Sequence, residues 1–276
     1  MRKNSIKRYC RQIIAIVEKN FYLDTRVKAR VIMRFLDPII QLLIFIFLYG
    51  FIFNTNTGFQ VGYWNKNNYV LFLLLAFCVQ FSKSITQKYN SLFIEEKYWK
   101  TLSAMMVAPL NRFTLLFGVL ISELVMLSIP LSILFIVMYI LYPIPLLFLI
   151  LTLLVFFSIC LIFAAIGLIV GVLAMSNEKI VPYTSLILRF TFLFACIGYP
   201  REIFPEIFQI LMFINPLYYI IDLLRLSWYL GIDYEVAILL ITPIHIILLI
   251  LMTILIPLIS LYFFEYIYKK YGIQGY

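Results

Sequence analysis

Leu146 to Met175 reads LLFLILTLLVFFSICLIFAAIGLIVGVLAM, thirty consecutive positions without one charged side chain. As a helix this run is about 45 Å long, more than the roughly 30 Å of hydrocarbon in a bilayer, so it crosses the membrane and tilts or projects beyond it. The rest of the chain agrees. Of 276 residues 64% are hydrophobic and 13% charged, and mean hydropathy is +1.02. Soluble domains carry about 25% charge, and too few polar residues are present here to coat a water-soluble core.

Working outward from this run, five further segments qualify as spans: Phe35 to Phe53, Tyr69 to Lys83, Leu115 to Leu141 with Pro130 as a kink, Val181 to Tyr199 interrupted by Arg189, and Ala237 to Tyr262 with Pro243, His245 and Pro257. The expected fold class is an all-α integral membrane protein with six transmembrane helices. Residues 1–34 are expected to form a cytoplasmic amphipathic interface segment and residues 35–276 one six-helix transmembrane domain. In the former, Ile13, Ile14, Ile16, Val17, Phe21, Tyr22 and Val27 alternate with closely spaced cations, the pattern of a helix lying in the membrane interface. Between Pro200 and Asp233 two apolar stretches, Ile203 to Ile214 and Leu217 to Tyr229, flank Asn215-Pro216. Each is too short to span, so residues 203–229 read as re-entrant or external half-helices.

The net charge of +9 does not mark a nucleic-acid partner, because the cations cluster at the ends of apolar runs. Eighteen of the 22 Lys and Arg fall on one side of the six-span plan, ten of them before Phe35. Lys66, Arg201 and Arg225 alone fall on the other, so both termini are expected in the cytoplasm of a multi-pass cell-membrane protein. Cys10, Cys78, Cys160 and Cys196 are scattered without metal or disulfide spacing. The first apolar run follows a long charged segment and does not look like a secretory signal. Aromatic side chains, among them Tyr63, Trp64 and Tyr69 outside and Tyr266, Tyr268 and Tyr271 inside, suit interfacial belts.

Catalytic chemistry is not evident. No phosphate-binding Gly-x4-Gly-Lys-Ser/Thr, HExxH or GxSxG occurs, and His245, the single histidine, reads as a packing or interfacial residue. No catalytic, metal or cofactor residues are expected. Charges within spans are costly and draw a functional reading, so Glu123 and Arg189 are expected to pair, to line a substrate path, or both. Gly167 and Gly171 form a GxxxG, read as close helix packing within the subunit rather than a dimer seam. Asp222 and Arg225, one turn apart, read as a solvated local pair.

Residues 94–112 carry a resemblance. Glu95-Glu96-Lys97-Tyr98-Trp99-Lys100-Thr101-Leu102, then Met105, Pro109 and Arg112, is similar to the cytoplasmic loop of type-2 ATP-binding-cassette exporter permeases. There an acidic pair, Gly-Thr-Leu, an apolar turn, Pro and Arg recur in that order; here Lys100 stands in place of the Gly and Ser103 in place of an acid. Gly198-Tyr199-Pro200-Arg201-Glu202-Ile203-Phe204-Pro205 and Asn215-Pro216-Leu217, with Arg225 following, resemble the same family's external segment. The resemblance implies an obligate separate ATPase subunit, which would bind ATP and magnesium, and a second permease subunit, the same chain or a related one. It also implies that residues 94–112 couple the two through Glu95, Glu96, Trp99, Lys100, Thr101, Leu102, Met105, Pro109 and Arg112. An amphipathic substrate, drug-like, lipid or lipid-linked glycan, would then be exported through membrane lipid. The rival reading is a secondary transporter or channel without an ATPase, which would want several intramembrane ionisable sites. A membrane-embedded transferase lacks the clustered acids or histidines it would need.

Overall fold

The computed structural model describes residues 2–26, 28–55, 62–100 and 112–271. They fold as ten α-helices: α1 (Arg2–Thr25), α2 (Lys28–Thr55), α3 (Tyr69–Tyr98), α4 (Arg112–Leu141), α5 (Leu146–Ser176), α6 (Val181–Leu193), α7 (Glu206–Ile214), α8 (Pro216–Tyr229), α9 (Tyr234–Leu240) and α10 (Pro243–Tyr271). Among the described residues α3, α4, α5 and α10 are each long and apolar enough to cross a membrane, while α7 and α8 form one apolar pair bent by 91°.

The core is the seam between α3 and α5. Leu71, Leu75, Cys78, Ile85, Tyr89 and Phe93 pack against Cys160, Phe163, Ala164, Leu168 and Val172, all 0% exposed or nearly so. The two glycines of α5 make this seam close: a Cβ on Gly167 would lie 2.9 Å from Thr86 Cα, and one on Gly171 would lie 2.8 Å from the Tyr89 carbonyl oxygen. GxxxG therefore serves packing within the subunit. Thr86 Oγ1 donates to the Phe163 carbonyl at 2.9 Å across the same seam, a bond that lipid could not replace. α4 joins through the buried Tyr89 hydroxyl, which donates to the Leu116 carbonyl, and α10 packs on α5 and α8.

Three spans differ from the expectation drawn from hydropathy. α3 does not stop at Lys83 but runs to Tyr98. Its cations have partners that let the helix continue: Lys83 Nζ lies 4.9 Å above the Phe192 ring, and Lys88 bonds Asp24 of α1 at 2.6 Å. The fifth span is not continuous from Val181 to Tyr199, because α6 ends at Leu193 after 13 residues, about 20 Å of helix. Turns follow, with Cys196 in the left-handed region at φ 53°. The sixth is not continuous from Ala237 either. α9 stops at Leu240, Ile241 is extended, and α10 begins afresh at Pro243, since the residue before a proline is pushed out of helical geometry. Pro130 and Pro257, by contrast, lie inside helices that run through them.

The amphipathic N-terminal segment does form a helix, but α1 is strapped to the bundle as well as greasy on one side. A stripe at four-residue spacing, Gln12, Ile16, Asn20 and Asp24, faces α3 and α4. Thr114 Oγ1 donates to Gln12 at 3.4 Å, Ile16 sits against Gly118 where a Cβ would approach within 2.9 Å, Asn20 Nδ2 donates to Ser122 Oγ at 3.2 Å, and Asp24 takes Lys88.

Candidate functional site

Three groups of residues bring functional chemistry together. The first is the end of α3, close to the cation-rich α1. Tyr98 and Trp99 stand out at 79% and 71% exposure, their rings meeting edge to face at 5.5 Å. Two large aromatics so exposed form an apolar knob at the end of the helix. Lys100 closes the helix in the left-handed conformation at φ 57°, with the Trp99 amide donating to the Glu95 carbonyl at 2.9 Å. That geometry favours glycine, which accounts for the Gly of the resembling motif at this position. Lys100→Gly is expected to relieve about 0.5–1 kcal/mol of backbone strain, read as slower amide exchange at Trp99 and Lys100. Faster exchange there would contradict the assigned backbone.

The two neighbouring carboxylates divide. Glu96 is buried and bonded to Lys19 of α1, so it serves intrachain docking, while Glu95 stays exposed. Arg112 opens α4, bonds Glu265 of α10 at 3.1 Å and lies over the Phe264 ring, which ties the far side of the loop to the bundle. Thr101, Leu102, Met105 and Pro109 lie outside the described residues.

The second group is a cavity of about 450 Å³ between α2, α3 and α6. Phe45, Phe77 and Phe192 supply apolar wall, and Gln80, Lys83 and Arg189 supply polar lining. No carboxylate lines it among the described residues. Arg189 is an exposed residue of this wall, whereas Glu123 is fully buried on α4, within electrostatic reach of Tyr89. The structure does not bring the two together: Glu123 is buried on α4 near Tyr89 of α3, whereas Arg189 lines the cavity from α6.

The third group surrounds the bend between α7 and α8. Asn215 and Pro216 make its corner: the Asn215 side chain accepts from the Leu217 amide at 3.1 Å as N-cap of α8 and donates to the Thr191 carbonyl of α6 at 2.7 Å, and Pro216 occupies the first helical position, where no amide is needed. Arg225 is 2% exposed. Its Nη2 donates to the Cys196 and Ile197 carbonyls at 2.6 and 2.7 Å, and the guanidinium lies 4.3 Å from the Phe72 ring centre. A cation thus holds the loose carbonyls beyond α6. The expected solvated Asp222–Arg225 pair is accordingly not what forms. Asp222 instead accepts from the Tyr63 hydroxyl at 3.4 Å and lies 3.5 Å from His245 Nε2, while His245 Nδ1 is 2.7 Å from Thr242 Oγ1. Burial, and next the Asp222 carboxylate, hold the Tyr63 phenol well above its usual range, so it stays a donor. Gly198 contributes its carbonyl to the Tyr49 hydroxyl at 3.3 Å, Pro200 is buried, and Pro205 is the N-cap of α7.

Sequence reasoning missed Lys19, Asp24, Lys88, Tyr49 and Tyr63. The four-residue stripe in α1 held a signal for Asp24, since three polar residues, Gln12, Asn20 and Asp24, on one face of an interfacial helix need partners. Tyr63 looked like any belt aromatic.

The described residues are thus an all-helical membrane protein with several helices able to cross a bilayer, an exposed aromatic pair at the end of α3 and a sharply bent apolar pair, α7 and α8. The chain belongs to the ABC-2 type transporter family, whose sequence model matches residues 11–229. That match spans α1 through α8 and makes the chain a membrane component of a transporter rather than a catalytic one. Among curated proteins the chain has no match.

Proposed function

We propose that this chain is the membrane-spanning half of an ATP-binding-cassette exporter and draws its power from a separate ATPase subunit. Beyond the four long helices, α2 and α6 would complete six crossings, with both termini in the cytoplasm and α7 and α8 outside. Two permease subunits, the same chain twice in the simplest case, would flank the path. The observation that carries the reading is the Tyr98–Trp99 knob, an exposed aromatic pair on the cation-rich end of the most buried spanning helix. Aromatic anchors of this kind fill grooves on partner proteins. A partner that pushes on the knob would act directly on the α3–α5 seam.

The cavity beside α3 suits an amphipathic substrate: an apolar wall for a tail and the cations Lys83 and Arg189 for a polar head. A lipid, a lipid-linked glycan or a drug-like amphiphile would all fit that description. Lys83 and Arg189, with no carboxylate beside them among the described lining residues, favour an anionic head over a cationic one.

The test is co-purification with the candidate ATPase. Tyr98→Glu with Trp99→Glu is expected to lower ATPase recovery at least about tenfold, the loss of one or two interface anchors, while the permease stays folded by gel filtration. Undiminished recovery would remove the knob from the interface. Transport that persists in vesicles without any ATPase would instead favour the secondary-transporter reading.

A further inference from the structure

One stripe of α3 faces the cavity between α2, α3 and α6, and its chemistry changes along its length. Leu73, Ala76 and Phe77 line the cavity first. Gln80, Lys83, Gln87 and Asn90 follow, at the three- and four-residue steps that keep one helix face in line. The neighbouring helices repeat the order. Phe45 of α2 meets Phe77 with ring centres 6.2 Å apart, which thickens the apolar wall at that level. Phe192 of α6 lies 4.9 Å from Lys83 Nζ, and Arg189, one turn from Phe192, brings a second cation into the same cavity. Gln87 and Arg189 are exposed and make no hydrogen bond or ion pair among the described residues. Beside a spanning helix such groups want partners that hydrocarbon cannot supply.

This lining separates three kinds of headgroup. An ammonium head would meet two cations and no carboxylate among the described lining residues. A phosphate that ends the molecule suits Lys83 and Arg189 but leaves the carboxamide of Gln87 without a partner. A hydroxyl-rich group beyond the phosphate uses both, since a hydroxyl and a carboxamide each donate and accept. At 1.5 Å of rise per residue, about 9 Å of α3 separates Phe77 from Lys83, and about 6 Å separates Lys83 from Gln87. A tail, a phosphate and one ring attached to it can match those steps in that order.

We propose that this cavity takes an amphiphile whose phosphodiester stands between its tail and a hydroxyl-rich ring. The tail lies toward Phe45 and Phe77, the phosphate on Lys83 with Arg189 adding a second positive charge from α6, and the ring toward Gln87. The proposal rests on the reading of this cavity as the substrate path. It selects a sugar-phosphate lipid from the amphiphiles that path admits, and it turns the head toward the Trp99 end of α3, the side on which the ATPase would dock.

The test uses the full chain in a neutral polyoxyethylene detergent with probes that share a hexadecyl tail: the glucosyl phosphodiester, the methyl phosphodiester, the phosphocholine and the uncharged glucoside. Native mass spectrometry is expected to show the glucosyl diester held about tenfold more tightly than the methyl diester, the worth of one or two hydrogen bonds, and the phosphocholine held more weakly than either. Gln87→Leu is expected to close most of the gap between the diesters. Lys83→Gln with Arg189→Gln is expected to weaken both diesters about tenfold and to leave the glucoside unchanged. Ser128→Ala with Ser132→Ala, on the exposed face of α4, is expected to change nothing. If the cation variant fails to fold, the probes compared on the unaltered protein still decide charge and hydroxyls. The proposal is overturned if the two diesters bind equally, if the phosphocholine matches the glucosyl diester, if the cation variant weakens the glucoside as much as the diesters, or if the α4 variant acts as Gln87→Leu does. A gap that survives Gln87→Leu and falls on Tyr199→Leu would overturn the orientation. Binding of all the probes alike sinks this proposal and spares the cavity as a path, whereas binding of none removes the cavity from the path.

Discussion

Gly171→Leu is expected to leave no permease that survives purification as a folded, monodisperse species. A first carbon at this position would already lie 2.5 Å from Phe93 Cδ2 and 2.8 Å from the Tyr89 carbonyl oxygen. The ring can rotate away, but the backbone oxygen moves only if α3 moves. Overpacking of that kind costs about 3 kcal/mol or more, a large part of a typical stability margin. Gly171→Ala should cost less, and adding Phe93→Ala should recover part of it by removing the closer of the two obstacles. Thermal unfolding in detergent, followed by tryptophan fluorescence, measures the series. A leucine variant as stable as the unaltered protein would mean that α3 and α5 do not meet in this register.

The second large effect is expected at Arg225. Arg225→Met keeps the apolar stem but strands the Cys196 and Ile197 carbonyls and empties the space over Phe72. An unsatisfied buried acceptor costs about 1–3 kcal/mol, so the loss should be about 2–4 kcal/mol. Arg225→Lys should recover only a fraction, because an ammonium lacks the planar fork that serves two acceptors from one side. Asp222→Asn should cost about 1 kcal/mol or less, since the amide oxygen still accepts from Tyr63. A ranking in which Asp222→Asn does more damage than Arg225→Met would show that the turn is held by the acid instead.

The membrane class, the α1 segment and the corner at Asn215-Pro216 were all legible from residue order. Each rests on local chemistry: unbroken hydropathy, cations interleaved with isoleucines, and a capping side chain ahead of a proline. What escaped depends on partners far along the chain. Hydropathy kept Val181 to Tyr199 whole because Phe194, Ala195, Cys196 and Ile197 are as apolar as any helix interior. Only Arg225, some thirty residues further on, reveals that their carbonyls are turned out to a cation. Lys83 and Lys88 ended the second span on charge alone, although Phe192 and Asp24 absorb those charges. Glu96 looked free to meet an ATPase, and the residue that occupies it, Lys19, is 77 positions away. Arg112 and Glu265 are separated more widely still.

The brevity of α6 changes the geography of the lipid around it. As one of the proposed crossings, its 13 residues, about 20 Å of helix, would require hydrocarbon to thin by roughly a third there or protein to fill the gap. The turns after Leu193 follow it directly in the chain. On the proposed reading, a polar headgroup passing the Arg189 side of this helix would have its shortest greasy path at this point of the molecule.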